Sequence, residues 1–298
     1  MPSTDVEVFA SERPRLLGLA YRMLGTRSDA EDVVQDAWLR WQRADRAGID
    51  RPAAWLTTVV SRLALDLLRA RRRDRADYVG PWLPEPVPTG GAVDDDPAAR
   101  AERNDTLSLG FVHVLERLNP RERAAFVLAD VFDEPFRDIA EVLGETESNC
   151  RQLASRARRK VVDPDAPARR AVSPADVSGV LEAFLAASAT GDLDALLAVL
   201  APDIVLLSDG GAARHAARRP VTGPHRVSRL VLGLAHRLPA DASVLVTELN
   251  GCAAVVVRTA GEVLLTMSVD VRDGCIRQLL LVVNPDKLRL LDLPFPIH

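Results

Sequence analysis

The chain has 298 residues, 47% hydrophobic and 27% charged, with a net charge of −4. This is globular composition, at a length that suggests two or three domains rather than one. No apolar run approaches the roughly 20 residues of a membrane span, and the acidic opening MPSTDVEVFASERPR lacks the apolar core of a secretory signal.

The first 76 residues read as helices. LLGLAYRMLG has apolar residues at helical spacing and stops at Gly25. SDAEDVVQDAWLRW starts from a Ser28 or Asp29 cap with acids in its first turn, where the helix dipole favours them. Val33, Val34, Ala37, Trp38 and Trp41 form its expected inner stripe, and Glu31, Asp32, Gln35 and Asp36 its outer face. The loop QRADRAGIDRP leads to a third helix, AAWLTTVVSRLALDLLRARRR. Its apolar stripe runs Leu56, Val59, Val60, Leu63 and Leu67, with Arg62, Arg69 and Arg73 on another face.

Residues 77–106 break the helical pattern with prolines, TGG and DDDP, and read as a linker. Within it, YVGPWLPEP sets Trp82 among three prolines. Proline fixes φ and removes a backbone donor, so this stretch is neither helix interior nor central strand. An ordinary linker has no use for an exposed indole.

Helices resume with LSLGFVHVLERL and with NPRERAAFVLADVF, where Pro120 stands at a helix start. In PFRDIAEVLGETESNCRQLASRARRKV, a short helix turns Phe136, Ile139, Ala140 and Leu143 inward, and Gly144 supplies the turn. Thr146 or Ser148 caps a second helix that buries Cys150, Leu153, Ala154, Ala157 and Val161. That is helix-turn-helix geometry, with Asn149, Arg151, Gln152, Ser155, Arg156 and Arg159 left outward. Amide and guanidinium groups pair with adenine and guanine edges, and the terminal Arg158, Arg159 and Lys160 suit phosphates.

A net charge of −4 argues against bulk attraction to nucleic acid, but the charge is unevenly placed. Residues 1–76 carry 14 basic against 11 acidic side chains, and 77–106 carry 2 against 7. RARRRDR (Arg69–Arg75) and RQLASRARRK (Arg151–Lys160) are concentrated basic helix ends, suited to local docking on a polyanion.

After DPDAPARRAVSP, a different kind of domain begins. Two helices lead into DIVLLSDGG, and a further helix, PHRVSRLVLGLAHRL, precedes SVLVTEL, AAVVVRT, EVLLTMSVDV and CIRQLLLVV. Asn250-Gly251, Gly261 and Asp273-Gly274 punctuate these runs as hairpin turns, which marks an α+β domain with a strand meander. Cys150, Cys252 and Cys275 are far apart and odd in number, with neither CxxC nor zinc spacing. They read as small buried hydrophobes in a reducing cytoplasm, and no metal or cofactor is expected.

Residues 9–162 resemble a sigma factor of the extracytoplasmic-function group of the sigma-70 family. AEDVVQDAWLRW resembles the helix of region two that grips the clamp of RNA polymerase. RPAAWLTTVVSRLALDLLRARRR resembles the helix that melts and reads the minus-ten element. LNPRERAAFVLADVFDEPFRDIAEVLGETESNCRQLASRARRK resembles region four, which reads the minus-thirty-five element. The C-terminal domain resembles the SnoaL-like branch of the NTF2-like cone. Its class of sigma factors carries three signatures, which stand here as WLPEP (Trp82–Pro86), DGG (Asp209–Gly211) and NPDKL (Asn284–Leu288). After DGG, where the family continues with glycine and a basic residue, this chain has Ala212 and Ala213.

The resemblance implies a multidomain chain: region two over 1–76, a linker over 77–106, region four over 107–163 and a SnoaL-like regulatory domain over 173–298. Its partners are core RNA polymerase, through the beta-prime clamp and beta flap, and promoter DNA, with no membrane. Asn149, Arg151, Gln152, Ser155, Arg156, Arg159 and Lys160 are expected at the upstream element. Arg46, Asp50, Arg51, Arg62, Arg69 and Arg73 are expected at the minus-ten element, and Glu31, Asp32, Gln35 and Asp36 on the polymerase. Trp82, Pro84, Glu85, Asp209, Gly210, Gly211, Asn284, Pro285, Asp286 and Lys287 are expected to join the linker to the appended domain in a regulatory contact.

Two other functions compete. A plain helix-turn-helix repressor needs neither the polymerase-gripping helix nor the melting helix. A regulator fused to a ligand-binding or ketosteroid-isomerase-like enzyme domain needs, for catalysis, an Asp base with a Tyr and a protonated acid as oxyanion hole. Tyr21 and Tyr78 lie outside the expected domain, and no spacing ties Asp209, Asp270, His215, His225 and His236 together. A non-enzymatic regulator is therefore expected, with a small ligand in the cone cavity left open.

Overall fold

The computed structural model describes residues 3–45, 48–71, 77–89, 107–161 and 174–291. They fall into two units, one made of 3–77 and 107–161, the other of 78–89 and 174–291.

The first unit is helical. Helix α1 (Ser3–Leu24) ends at Gly25, whose φ of +74° no β-carbon favours. Helix α2 (Arg27–Arg43) starts just before the expected Ser28 cap. Thr26 is its extended N-cap, and the Thr26 hydroxyl donates to Asp29. Val33, Val34, Ala37 and Trp41 are buried as expected, and Trp38 is half-buried, its ring 4.9 Å from that of Phe9.

Helix α3 (Pro52–Ala70) buries a wider surface than its sequence stripe. Leu56 and Val60 are buried, but so are Thr57, Thr58, Ser61, Ala64, Leu65 and Leu68, while Val59, Leu63 and Leu67 are only half-buried. The cause is packing on several sides. The helix lies against α1 and α2, and also against α5 (Pro120–Phe126) and α6 (Phe136–Leu143). Small polar side chains serve where helices approach closely, and the Thr57 hydroxyl returns a hydrogen bond to the Ala53 carbonyl at 2.8 Å.

Between α3 and α5 comes α4 (Leu109–Leu115), capped by Ser108. Asn119 and Glu122 form a reciprocal capping box on α5 at 3.0 and 3.1 Å, with Pro120 in the first turn. Helix α5 runs into a wide turn, Val127–Val131, which the Phe132 N–H closes on the Val127 carbonyl. The buried Arg123 holds these pieces together. It donates to the Leu115 carbonyl at 3.0 Å and the Met23 carbonyl at 2.8 Å, and pairs with Glu116 at 2.6 Å. Carbonyls at helix ends lack an intrahelical partner, and one guanidinium satisfies those of both α1 and α4.

The second unit is α+β. Helices α8 (Pro174–Thr190) and α9 (Leu193–Val199) precede strand β1 (Leu200–Asp209). Then follow β2 (Val221–Thr222), α10 (Pro224–Ala235), β3 (Ser243–Leu249), β4 (Cys252–Thr259), β5 (Glu262–Arg272) and β6 (Cys275–Val282). The short α11 (Pro285–Leu288) closes the described chain. The sheet order is β2-β1-β6-β5-β4-β3.

Three two-residue hairpins join β3 to β6, and each has positive φ at both turn residues: Asn250-Gly251, Ala260-Gly261 and Asp273-Gly274. Those conformations match the right-handed strand twist. Along β4, Val255 and Val257 face a core with Leu181, Phe184, Leu196, Ile204 and Val231, while Ala254 and Val256 face Leu249 and Leu291 on the other side. Of the three cysteines only Cys150 is fully buried, and burial pushes its thiol pKa up; Cys252 and Cys275 are half-buried.

The decisive pairing is parallel. Strand β1 runs beside β6 in the same direction, with Asp209 opposite Val282. Both strands therefore leave the sheet at the same end, and the segments after them, starting at Gly210 and Val283, begin side by side.

Candidate functional site

The helix-turn-helix is built from α6 and α7 (Glu147–Val161). Gly144 caps α6 in the left-handed region at φ +65°, and Thr146 caps α7 by accepting the Asn149 N–H at 3.2 Å. Cys150, Leu153, Ala154 and Ala157 are buried and Val161 half-buried, while Arg151, Gln152, Ser155, Arg156, Arg159 and Lys160 are exposed. Asn149 is half-buried and donates to Glu145 at 2.8 Å; Arg151 pairs with Glu147 at 2.6 Å and lies 5.1 Å over the Phe136 ring. Gln152, Ser155 and Arg156 make no side-chain hydrogen bond among the described residues, so they line an open groove with Arg151 and Arg159. Lys160 is engaged elsewhere, bonding both Glu122 oxygens at 2.7 Å. Burial resists ionisation of Glu122, but Lys160 and the Asn119 N–H outweigh it and hold the carboxyl below its usual range.

The segment around α3 is less open. Arg51, the residue before α3, donates to Asp138 at 3.1 Å. Arg62 donates to the Glu141 carbonyl at 2.7 Å and lies 3.4 Å from its carboxylate. Both partners belong to α6. Arg69 pairs with Asp66 of its own helix at 3.1 Å, and Asp50 is exposed. Arg46 and Arg73 lie outside the described residues. On α2, Asp32, Gln35 and Asp36 are exposed, whereas Glu31 is half-buried and paired with Arg27 at 3.0 Å.

The third site lies wholly in the second unit. Asp209, with no exposed surface, ends β1 and takes four donors. Its Oδ1 accepts from the Tyr78 hydroxyl and from the Gly211 N–H at 3.0 Å. Its Oδ2 accepts from the Leu83 N–H at 2.8 Å and from Lys287 Nζ at 2.7 Å. Lys287 also donates to the Leu83 carbonyl and stands 4.0 Å over the Trp82 ring and 5.2 Å over that of Tyr78. A cation desolvated against aromatic faces gains from their quadrupoles.

Asn284 caps α11 by accepting the Asp286 N–H at 3.1 Å, and its amide donates to Tyr78 at 2.9 Å. Pro285 opens α11 and Lys287 projects from it. Burial and the Asp209 carboxylate together raise the Tyr78 pKa far above the usual phenol value.

The linker segment 78–89 lies along this unit as a strap, with Pro84, Glu85 and Pro86 buried and Leu83 and Val87 fully enclosed. Val87 exchanges hydrogen bonds with Asn250, its N–H to Oδ1 at 3.0 Å and its carbonyl from the Asn250 N–H at 2.8 Å. Thr89 bonds Glu248 at 3.0 Å and accepts from the Gly251 N–H at 2.7 Å. Enclosing Leu83 and Val87 stabilises the strap by about 1.5–3 kcal/mol each.

The glycines are required by close approach. A β-carbon on Gly210 would stand 2.4 Å from the Arg214 carbonyl, and one on Gly211, at φ +57°, 2.6 Å from the Asn284 amide. Ala212 and Ala213 are exposed, and neither has a positive φ, so the third position needs no glycine here.

Tyr78 corrects the sequence expectation, since it belongs to the appended domain's unit and meets Asp209 there. The pair is nonetheless no catalytic dyad. Protein donors already occupy both carboxylate oxygens, leaving no acceptor for a substrate. Asn250 and Thr89 are further contributors the motifs did not contain. The Asn-Gly turn signal marked Asn250 as a turn residue, and nothing marked it as a strap partner.

A helix with an exposed acidic face, an arginine-bearing helix and a helix-turn-helix in one chain point to a DNA-reading transcription protein. Sigma-70 region 2 matches residues 8–74, and Sigma-70, region 4 matches 109–161. The ECF RNA polymerase sigma factor SigJ of Mycobacterium tuberculosis is 42% identical over 292 residues, covering 95% of this chain and 93% of that one. The probable ECF RNA polymerase sigma factor SigI of the same organism is 35% identical over 283 residues, covering 93% and 92%. The crystal structure of M. tuberculosis SigJ superposes with a TM-score of 0.75 at 38% identity, covering 97% of this chain and 99% of that one. The chain belongs to the extracytoplasmic-function sigma factors of the sigma-70 family. It is an alternative sigma factor, which binds core RNA polymerase and promoter DNA and initiates transcription.

Proposed function

We propose that this sigma factor is controlled in cis, by the grip of its appended domain on the strap between regions two and four. The observation that carries this reading is the buried Asp209 carboxylate, which gathers the strap, the loop after β1 and the segment after β6 on one anion. A contact between parts of one chain works at high effective concentration, so it need not be strong to be occupied. The domain acts by binding, without turnover, and the protein works in the cytoplasm with its polymerase.

Arg151, Gln152 and Arg156 read base edges of the upstream element, with Asn149 and Ser155 beside them, and Arg159 holds phosphate. Lys160 reaches phosphate only by leaving Glu122. Arg51, Arg62 and Arg69, with Asp50, Arg46 and Arg73, serve the minus-ten element. Asp32 and Asp36, flanked by Glu31 and Gln35, meet the beta-prime clamp. In the arrangement described, Asp138 and Glu141 of α6 occupy Arg51 and Arg62. Arg51 and Arg62 reach DNA only by leaving these partners, which exposed ion pairs allow at a cost of about 1 kcal/mol or less.

The test is run-off transcription with core polymerase on one selected promoter. It compares the full chain, a chain ending at residue 284, Trp82→Ala and residues 1–163. Loosening the strap, by tail removal or by Trp82→Ala, is expected to raise the transcript yield. Removing the whole domain is expected to lower it, because regions two and four are then left unheld. Equal activity of all four overturns control through this contact, and no transcript from any of them overturns the assignment to promoter-specific initiation.

A further inference from the structure

Between Gly210 and Ala240 the chain carries six arginines and three histidines but no aspartate or glutamate. Residues 164–298 as a whole are balanced, at 13 basic to 14 acidic. Five of the nine lie on α10 and the turn after it: His225, Arg226, Arg229, His236 and Arg237, all exposed. At about 100° per residue they occupy about a third of the helix circumference. The side opposite is buried through Val227, Ser228 and Val231.

The fold gains nothing from this stripe. Among the described residues Arg226, Arg229 and Arg237 have no ion-pair partner, whereas Arg272 and Arg277 of the same unit pair with Asp270 at 2.9 Å and Asp203 at 3.1 Å. His225 and Arg226 stand in the first turn of α10, which holds no acid and where the helix dipole disfavours cations. Gly233, the one other residue within the stripe, weakens a helix relative to alanine. A β-carbon there would meet nothing within 4 Å, so packing does not demand the glycine.

We propose that this face of α10 binds the phosphate backbone of duplex promoter DNA, as a sequence-independent contact separate from α3 and α7. The chemistry fits. Guanidinium forks match phosphate oxygens, and the stripe has no apolar side chain of the kind that anchors a protein interface. Gly233 leaves its centre low, so a backbone can approach closely. From His225 to Arg237 the stripe runs about 18 Å, a length over which duplex DNA presents several phosphates at one charge per about 1.7 Å of axis. The contact is independent of the strap.

The experiment compares wild-type holoenzyme with holoenzyme carrying Arg226→Ala, Arg229→Ala and Arg237→Ala together, and with the triple Arg→Lys variant. Alanine favours helix at Arg226 and Arg229, Arg237 lies in the exposed turn after it, and a thermal melt checks the fold. Binding of a labelled promoter duplex is followed by anisotropy between 50 and 200 mM salt, and affinity for core polymerase is measured alongside. Each lost phosphate contact lowers the slope of log affinity against log salt by about 0.9. The alanine triple is thus expected to lower it by about 2.7, so that affinity falls about 40-fold less over this range than in wild type. Lysine is expected to restore most of the slope, because charge rather than fork geometry sets it. An unchanged slope and affinity overturn the proposal. So does weakened assembly with core polymerase at an unchanged DNA slope, which assigns the stripe to an acidic protein surface.

Discussion

Replacing Lys287 by methionine is expected to destabilise the appended domain by about 3–5 kcal/mol and to free the strap, because removing one partner of a buried ion pair leaves the other charge uncompensated. Methionine keeps the unbranched stem and much of the volume, so packing changes little and charge changes fully. Asp209 would keep the Tyr78, Leu83 and Gly211 donors but lose the one cation bonded to it among the described residues, at a site with no exposed surface. Trp82 would lose the ammonium 4.0 Å above its ring, and the Leu83 carbonyl its donor. Denaturant unfolding of the full chain measures the first effect, and protease cleavage between residues 78 and 89 the second. Pairing the change with Asp209→Asn removes both charges and should cost less than the sum of the single changes, as coupled partners do. A stability loss under about 1 kcal/mol with an uncut strap shows that the ion pair does not seat it.

Reversing two charges on α2, Asp32→Arg with Asp36→Arg, is expected to abolish transcription while leaving the protein folded. Both residues are exposed on the face opposite the buried Val33, Val34, Ala37 and Trp41, so the fold should lose no more than about 0.5 kcal/mol for each. At an interface the balance differs, because like charges brought together cost several kcal/mol. A penalty of about 3 kcal/mol lowers affinity for core polymerase about 100-fold. Affinity for the isolated core enzyme and a thermal melt, measured on the same preparation, separate the two effects. Unchanged affinity removes Asp32 and Asp36 from the polymerase contact.

The second helix of the helix-turn-helix was legible because its period is clean: Cys150, Leu153, Ala154 and Ala157 recur on one side of α7. The structure chose Thr146 over Ser148 as its cap, and on α6 it buries Val142 with Ile139 and Leu143 while Phe136 and Ala140, expected inward, are half-buried. Helix α3 was harder to read. A helix packed on several sides buries threonine, serine and alanine wherever neighbours come close, and such residues leave no hydrophobic signal, so Thr57, Ser61 and Ala64 escaped the stripe. The three strap motifs were visible as motifs, but their meeting at Asp209 depends on β1 pairing parallel with β6 across the intervening strands and α10. Nothing local to either strand encodes that choice. Tyr78 was misassigned for a related reason, since chain position placed it in a linker while hydrogen bonding places it in the appended domain.

Because residues 78–89 belong to the second unit while 3–77 and 107–161 make up the first, neither unit is continuous along the chain. The two are interleaved, and no single cut separates them. A chain stopped after region four keeps the strap but loses everything the strap lies on, so Leu83 and Val87, now fully enclosed, pass into water with Pro84 and Pro86 beside them. Such a fragment gains a sticky segment in its middle as it loses nearly half of the chain. Its solubility and its activity must then be judged apart. A cleaner excision replaces residues 78–89 with a polar segment of equal length in the same molecule.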